Sequence, residues 1–345
     1  MRKTLSLAAL AAVFAAPAFA ANLENPLYLP DSGDFFSKTS AGMMTKRLPD
    51  NLINQYNGTV GDFQSPVWRL REQLGYGITD RLAIQGAFRY TANQTGDRYG
   101  MDEGRLGAIY RVMADQESLL LDVYADLNLG GISKMSLDAV NNANPYTGLG
   151  FHYNNYTTGD YGIYAGARAG HTWDKFTAAA FAEVLYTLPG NNNKITTTEL
   201  TNVGGVPIAM LHAQGLPDSF SVDLKNTWDW NAGVNFGYDF ADTWTSNFTF
   251  TYKHHAEHVI SKVHMDPANM TGYAAGVASV LIPELTTGMS DQFDEFVFGT
   301  SVAKTLNEWA QVALYTEYTA DNGQWNSQNT TKFKWELGAR LNVQF

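Results

Sequence analysis

The sequence of 345 residues contains no cysteine. This absence excludes a disulfide framework and a lipid-anchored product, and it suits an exported chain, since thiols are a hazard on an oxidising export route. Beyond the first 20 residues the chain also lacks a long apolar run, because the most apolar stretch, 271–285, is interrupted by Gly272, Gly276 and Pro283. A spanning helix needs about 20 consecutive apolar residues, so a helical membrane protein is excluded.

Positive charge is scarce: 23 lysines and arginines stand against 34 aspartates and glutamates, and the formal net charge is −11. A surface that binds nucleic acid needs a basic excess to meet the phosphates, so nucleic acid is not expected as a partner. Hydrophobic residues make up 45% of the chain and aromatic residues 13%. This composition suits either a soluble protein or a membrane β-barrel, whose strands place every second residue in water.

Residues 1–20 have the three parts of a secretory signal peptide. Arg2 and Lys3 form a basic head, residues 5–14 form an apolar stretch, and the last four residues read Pro-Ala-Phe-Ala, with small side chains where a signal peptidase cuts. A membrane anchor is the alternative, but the apolar stretch is too short to span a bilayer. We therefore expect export by the general secretion route, removal of this peptide and a mature chain beginning near Ala21.

Residues 332–345 alternate between apolar and polar side chains. A period of two over this length predicts a β-strand with one apolar and one polar face. One face carries Phe333, Trp335, Leu337, Ala339, Leu341, Val343 and Phe345, and the other carries Lys332, Lys334, Glu336, Arg340, Asn342 and Gln344.

An alternating strand that ends in a terminal phenylalanine resembles the assembly signal of Gram-negative outer-membrane β-barrels. The resemblance covers the class and the two ends of the chain, and it identifies no particular family. It implies insertion into the outer membrane by the barrel-insertion machinery, which would read Trp335, Leu341, Val343 and Phe345. Outer-membrane lipid is then the surrounding partner, and no cofactor is implied.

The same alternation recurs upstream, at 68–78, 82–90, 119–129 and 228–239. A soluble β-sandwich would give shorter patterns and more even loops. Five short turns, near residues 80, 115, 174, 242 and 307, alternate with six longer connections, near 48–64, 93–98, 132–160, 189–219, 257–291 and 321–330. Short turns on one side and long loops on the other are typical of outer-membrane barrels, so this pattern predicts an all-β, closed, antiparallel up-and-down barrel of twelve strands.

Residues 147–156 also have strand character, so ten or fourteen strands are the alternatives. We interpret this segment as a hairpin-like extension of the third long loop. The barrel is expected to occupy residues 35–345. Residues 21–34, with Pro26 and Pro30, are expected as a periplasmic lead-in, with a reach into the lumen as the alternative.

Charges at inward-facing positions fall into two sets. Strands two to four and strand twelve, which meet when the barrel closes, carry a basic wall made of Arg69, Arg71, Arg89, Arg105, Arg111, Lys332, Lys334 and Arg340. Strands five to eight carry an acidic wall made of Asp122, Asp126, Glu183, Asp223, Asp229 and Asp239. Glu103 and Glu336 are exceptions on the basic side, and Arg168 and Lys225 on the acidic side.

Opposed walls would set up a transverse field across a water-filled pore. We therefore expect a porin-like channel for the passive diffusion of small hydrophilic solutes. In the alternative, the same charges interlock into a polar plug, because small barrels are filled with side chains and large ones are open. Such a barrel would be structural, or would act as an adhesin or receptor through its long outer loops. The apolar stretch 271–285 could fold inward as a constriction, cap the mouth or pack against neighbouring loops.

An outer-membrane hydrolase is the second alternative. His254, His255 and His258 lie at the outer end of strand nine, with His264 following. Strand alternation sends His254 and His255 to opposite faces, and the sequence has no Gly-x-Ser-x-Gly elbow, so we expect no catalytic residues. A zinc or copper site from His255, His258 and His264 is conceivable, but histidines in a rim loop are more often solvated polar groups, and no metal is expected.

Overall fold

The computed structural model describes residues 22–47, 66–93, 98–114, 119–129, 132–135, 161–188, 193–196, 202–203, 206–256, 259–286, 292–321 and 333–345. The predicted signal peptide and the strand-like segment 147–156 lie outside these residues. In the part of the chain that is described, no helix is long and apolar enough to cross a membrane.

Twelve long strands form one antiparallel sheet that closes on itself. In chain order they are β1 (Phe35–Arg47), β2 (Val67–Thr79), β3 (Leu82–Asn93), β4 (Arg98–Ala114), β5 (Leu120–Asn128), β6 (Gly162–Trp173), β7 (Phe176–Thr187), β8 (Thr227–Ala241), β9 (Trp244–His255), β10 (Phe293–Asn307), β11 (Ala310–Asp321) and β12 (Phe333–Gln344). Each strand pairs with its neighbours in sequence, and β1 pairs with β12. The predicted fold class and strand number are confirmed.

The two ends of the chain meet at the seam between β1 and β12. The backbone N–H of Phe35 donates to the carbonyl of Phe345 at 3.0 Å, and the N–H of Phe345 donates back to Phe35 at 2.8 Å. Their rings stack with centroids 5.9 Å apart. Closure satisfies the backbone groups of both edge strands, which hydrocarbon cannot do.

Alternation along the strands separates a lipid-facing surface from the lumen. Leu337 on β12 is 65% exposed on the outer face, whereas the adjacent Glu336 is 2% exposed inside. Aromatic side chains lie near both ends of the outer face, as at the two interfaces of a bilayer. Near the short turns these include Phe35, Trp173, Phe176, Phe240, Trp244, Trp309 and Phe345, and near the long loops Trp68, Tyr186, Trp228, Trp230, Tyr252, Tyr318 and Trp335. We call these two ends the short-turn end and the long-loop end.

Two of the long connections fold together into a small unit outside the barrel, here called the loop domain. Its sheet contains Asn193–Thr196, Ser219–Leu224 and Ile260–His264, and its helices are α1 (Ile208–Ala213) and α2 (Gly272–Thr286). Its core is built from Leu211, Leu216, Phe220, Val222, Leu224, Ile260, Met265, Met270, Ala274, Ala278 and Leu281. The apolar stretch 271–285 is therefore explained by packing against neighbouring loops.

Asp223 does not face the lumen, and the prediction that placed it on strand eight is wrong. β8 begins at Thr227, and Asp223 lies on the central strand of the loop-domain sheet, 2.7 Å from Nε2 of His264. The apolar partners of that alternation, Phe220 and Val222, are buried in the loop-domain core rather than facing lipid. A period of two reports a strand with two unlike faces, but it does not say which sheet the strand joins.

Candidate functional site: the barrel lumen

Residues 22–34, here called the N-terminal segment, lie inside the lumen at the short-turn end. They were expected as a periplasmic lead-in, and the alternative of a reach into the lumen is the arrangement observed. Leu23, Leu27 and Leu29 are buried, and Leu29 packs with Ala83 and Ile109 on the wall. Burial of three leucines stabilises the docked segment, because an open tail would leave them in water.

The segment enters the lumen close against β2. The N–H of Gly33 donates to the carbonyl of Gly77 at 2.8 Å, and the N–H of Gly77 donates to the carbonyl of Asp34 at 2.9 Å. A side chain at Gly77 would overlap the backbone carbonyl of Asp31. Glycine at this position therefore allows the segment to approach the wall.

Glu24 is the main polar anchor of the segment. Its carboxylate, in a residue only 8% exposed, accepts hydrogen bonds from Arg340 at 2.9 Å, Asn342 at 2.8 Å, Asn247 at 3.1 Å and Ser301 at 3.2 Å. Burial raises the pKa of Glu24, but the charges of Arg340 and Lys38 and the hydrogen bonds outweigh burial and hold that pKa below its usual value. The carboxylate is therefore charged when docked.

A second anchor holds the backbone of the segment. Asp122, with 0% exposure, accepts from Nε of Arg111 and from Nε of Arg168, both at 2.8 Å. The outer nitrogens of these two arginines donate to three successive carbonyls of the segment, those of residues 26, 27 and 28, at 3.1, 2.6 and 2.6 Å. One buried carboxylate thus orients two guanidinium groups toward the segment.

Four further members of the predicted basic wall pair with carboxylates. Arg69 and Arg71 both donate to Oε2 of Glu336 at 2.8 Å. Arg105 lies 3.3 Å from Glu183, and Lys334 lies 2.6 Å from Glu295. Arg89 on β3 stands opposite Arg71 in the register, and Lys332 lies outside the described residues.

The remaining members of the acidic wall accept hydrogen bonds from neutral groups. Asp126 accepts from the amide of Gln85 at 3.0 Å, and Asp229 accepts from the backbone N–H of Ala256 at 2.8 Å. Asp239 accepts from Thr245 at 2.6 Å and from Asn22 of the N-terminal segment at 3.0 Å.

Two pairs of opposite charges from the two predicted walls are therefore in direct contact rather than facing each other across open water. Arg111 with Asp122 and Arg105 with Glu183 join the two sets directly. The charges of a close ion pair largely cancel at a distance, so these contacts weaken a uniform transverse field across the lumen. A solute would then respond mainly to individual sites on the wall.

Cavities lie on both sides of the N-terminal segment. Toward the long-loop end, one of about 400 Å³ is lined by Glu24, Lys38 and Lys253, among others, and one of about 270 Å³ by Arg105, Asp126 and Phe181, among others. Toward the short-turn end, a third of about 440 Å³ is lined by strand-end residues such as Leu120, Thr172 and Gln344, together with Leu27 of the segment. Among the described residues, the N-terminal segment therefore lies between the two groups of cavities.

The histidines of the hydrolase and metal alternatives lie at separate places. His254 is 2.7 Å from Asp294, His255 is 3.4 Å from Glu295, and His264 belongs to the loop domain. His258 lies outside the described residues. Over the described ranges, no group of three metal-ligating side chains comes together.

On the last strand, Trp335, Leu341 and Phe345 are exposed on the outer face, and Val343 lies on the same face. Reading of these side chains by the insertion machinery stays a prediction.

Sequence reasoning missed two charged residues at the segment. Glu24 and Lys38 were assigned no role, although Glu24 is the sole charged residue between Ala21 and Pro30 and stands among leucines. The signal in the sequence was a carboxylate among three leucines. Leucine side chains are usually buried, so their number indicates that this segment packs against the rest of the protein.

The fold resembles solved outer-membrane proteins over most of its length. An outer membrane channel from Pseudomonas putida F1 is similar with a TM-score of 0.53 and 11% identity, covering 94% of this chain and 99% of that one. The monoaromatic hydrocarbon channel CymD gives a TM-score of 0.47 and 9% identity, covering 92% and 89%. The transport unit of the autotransporter AIDA-I from Escherichia coli gives a TM-score of 0.45 and 12% identity, covering 94% of this chain and 95% of that one.

No protein-family model and no curated protein matches the chain. The likeness to the channel from Pseudomonas putida F1, at 11% identity, is therefore one of fold. The chain has the fold of the outer-membrane β-barrel class that includes porins and channels, and the class-level resemblance drawn from its last strand is confirmed.

Proposed function

We propose that this protein is a channel through which small hydrophilic solutes diffuse passively across the outer membrane, and that the N-terminal segment closes it. The observation that carries the proposal is that residues 22–34 line cavities on both sides and, among the residues that the structure describes, lie between them. Polar side chains line part of the wall on both sides, among them Asn247 and Thr251 toward the long-loop end and Thr172 and Gln344 toward the short-turn end, as a path for hydrophilic solutes requires.

The segment suits a gate because its anchors are polar and reversible. Glu24, Arg111 and Arg168 form charge-assisted hydrogen bonds, each worth about 1.5–3 kcal/mol, which water can replace when the segment leaves. The leucine contacts add apolar burial, so the closed state is expected to dominate at rest. Diffusion down a gradient needs no energy coupling.

A structural or adhesin barrel is the second candidate. It is favoured by the many ion pairs inside the lumen and by a loop domain with a core of its own. It predicts that the lumen stays closed even after the N-terminal segment is removed, since the wall contacts would themselves fill the pore.

Single-channel recording in planar bilayers distinguishes the two. The mature chain should give rare or brief openings, and a variant lacking residues 22–31 should give steady, ohmic steps. Swelling of liposomes in a neutral sugar should follow the same order, because passive diffusion needs no charge on the solute. A deletion variant that is folded in a heat-modifiability gel yet silent in both assays would overturn the channel proposal.

A further inference from the structure

The lumen wall contains a complete binding site for one carboxylate. Oε1 of Glu24 accepts from Arg340 and Asn342, and Oε2 accepts from Asn247 and Ser301, at distances between 2.8 and 3.2 Å. Each carboxylate oxygen therefore accepts two hydrogen bonds, which fills the four acceptor positions of an ionised carboxylate.

All four donors belong to the barrel and none to the N-terminal segment. Asn247 lies on β9, Ser301 on β10, and Arg340 and Asn342 on β12. Because these donors are mounted on paired strands of the wall and not on the segment, we expect them to remain close together when the segment leaves. The site would then persist without its own glutamate.

The lining of the cavity beside this site includes two carboxylates, those of Glu24 and Glu317, and five cationic side chains, namely Lys38, Arg71, Arg168, Lys253 and Arg340. Arg71 and Arg168 are already paired at 2.8 Å with Glu336 and Asp122. Lys38 and Arg340 are the cations whose charges act on Glu24, so they would lose that carboxylate when the segment leaves. Hydroxyl and amide groups of Thr249, Thr251, Asn235 and Gln73 add neutral partners for hydrogen bonds. With Glu24 withdrawn, Lys38 and Arg340 favour a small anion over a small cation at this place.

We propose that this site binds the carboxylate of a small anionic solute, and that Glu24 occupies it while the lumen is closed. A solute carboxylate arriving from the long-loop end competes with Glu24 for Arg340, Asn342, Asn247 and Ser301, and its binding releases the segment. The inference rests on the proposed channel function and adds a solute class and a means of opening to it.

The solute concentration needed to displace Glu24 depends on the chain that links Glu24 to the barrel. A group on a short flexible linker has an effective concentration on the order of millimolar. Arg111 and Arg168 hold the segment as well, which raises the solute concentration needed. We therefore expect binding of a carboxylate solute in or above the millimolar range, not in the micromolar range.

Binding to the vacant site can be measured without any recording of current. In the variant lacking residues 22–31, succinate titrated by calorimetry should bind, and inorganic phosphate and chloride at matched ionic strength should bind more weakly. Adding Arg340→Gln should weaken succinate binding at least about tenfold, the loss of one charge-assisted hydrogen bond. The charge-matched control Lys175→Gln, in an exposed turn, should leave it unchanged. Equal affinities for Arg340→Gln and Lys175→Gln would overturn the proposal.

Release of the segment can be followed in the full chain. Because the sequence has no cysteine, Asn25→Cys provides a single thiol on the segment. Succinate should speed its modification by a water-soluble thiol reagent, whereas in a Glu24→Gln background modification should be fast and independent of succinate. Modification that succinate does not change in the otherwise native chain would also overturn the proposal.

The two proposals fail separately. Binding of succinate by a deletion variant that passes no current would refute the channel and leave the carboxylate site standing. Current through a deletion variant that binds no succinate would do the opposite.

Discussion

Glu24 and Arg340 form a 2.9 Å ion pair across 316 positions of sequence, joining the N-terminal segment to the last strand of the barrel. This contact lies inside the barrel that the same two regions close. It connects the position of the N-terminal segment to the charge state of a single carboxylate.

Acid should release the segment. The pKa of Glu24 is lowered in the docked state relative to its ordinary value of 4.5, so its contribution to docking is fully present above that value. The contribution is lost as the pH falls through the lower, docked pKa. Conductance of the native chain should therefore rise as the pH is lowered below about 4.5. In Glu24→Gln this acid step should be absent; an identical step in both proteins would assign it to another group.

Asp122→Asn should destabilise the barrel strongly. The substitution keeps the shape but leaves Arg111 and Arg168 without their shared carboxylate in a fully buried place. Breaking a buried pair in this way costs about 3–5 kcal/mol. The urea midpoint of refolded protein in lipid, followed by tryptophan fluorescence, measures the loss.

Asp126→Asn is the matched control for that substitution. Asp126 is also buried on β5 but accepts one amide hydrogen bond, from Gln85. Its loss should cost about 0.5–1.5 kcal/mol. Equal losses for the two variants would mean that Asp122 has no special part in holding the arginines.

Gly77→Ala should loosen the segment where it enters the lumen. A Cβ at this position would overlap the carbonyl of Asp31, whereas a Cβ at Gly86 would lie 3.5 Å from the carbonyl of Arg105, an ordinary contact. We expect more frequent openings for Gly77→Ala and native behaviour for Gly86→Ala in single-channel records. Native gating in both would show that the close approach at Gly77 has no bearing on closure.

Phe345→Ala should impair assembly in cells more than stability in vitro. The substitution keeps the two backbone hydrogen bonds to Phe35 and removes only the ring stacked 5.9 Å away. The resemblance to outer-membrane assembly signals assigns that ring to the insertion machinery. Folded protein in outer-membrane fractions should fall several-fold, while refolding into vesicles changes little. Leu337→Ala, exposed on the same face, is the control, and equal effects of both would remove the special role of the terminal residue.

The barrel itself was predictable because the signals for its strands and turns depend on residues that are close together in the sequence. A period of two follows from how a strand separates lipid from water, and it is visible in a single stretch such as 332–345. Short turns alternating with long loops are visible along the chain for the same class of barrel. Turn chemistry helped as well: Asp174, in a predicted turn, adopts a left-handed φ of 48° that aspartate tolerates.

The contents of the lumen were not predictable in the same way. Asn22 reaches Asp239, 217 positions away, and the segment around it has no period that would indicate its partners. Asp223 shows the complementary failure, because its alternating pattern is real but belongs to the loop domain. Local pattern specifies the strand, and tertiary contact specifies where the strand or segment goes.

The most direct test of the account is to tie the N-terminal segment to the wall and release it at will. The amide of Asn22 lies 3.2 Å from the hydroxyl of Thr245, so Asn22→Cys with Thr245→Cys can be bridged by a short reagent that forms reducible disulfides with both thiols. In a Glu24→Gln background, single-channel current should be absent while the bridge is intact and appear when it is reduced. Current that passes unchanged through the bridged protein would contradict closure by the segment.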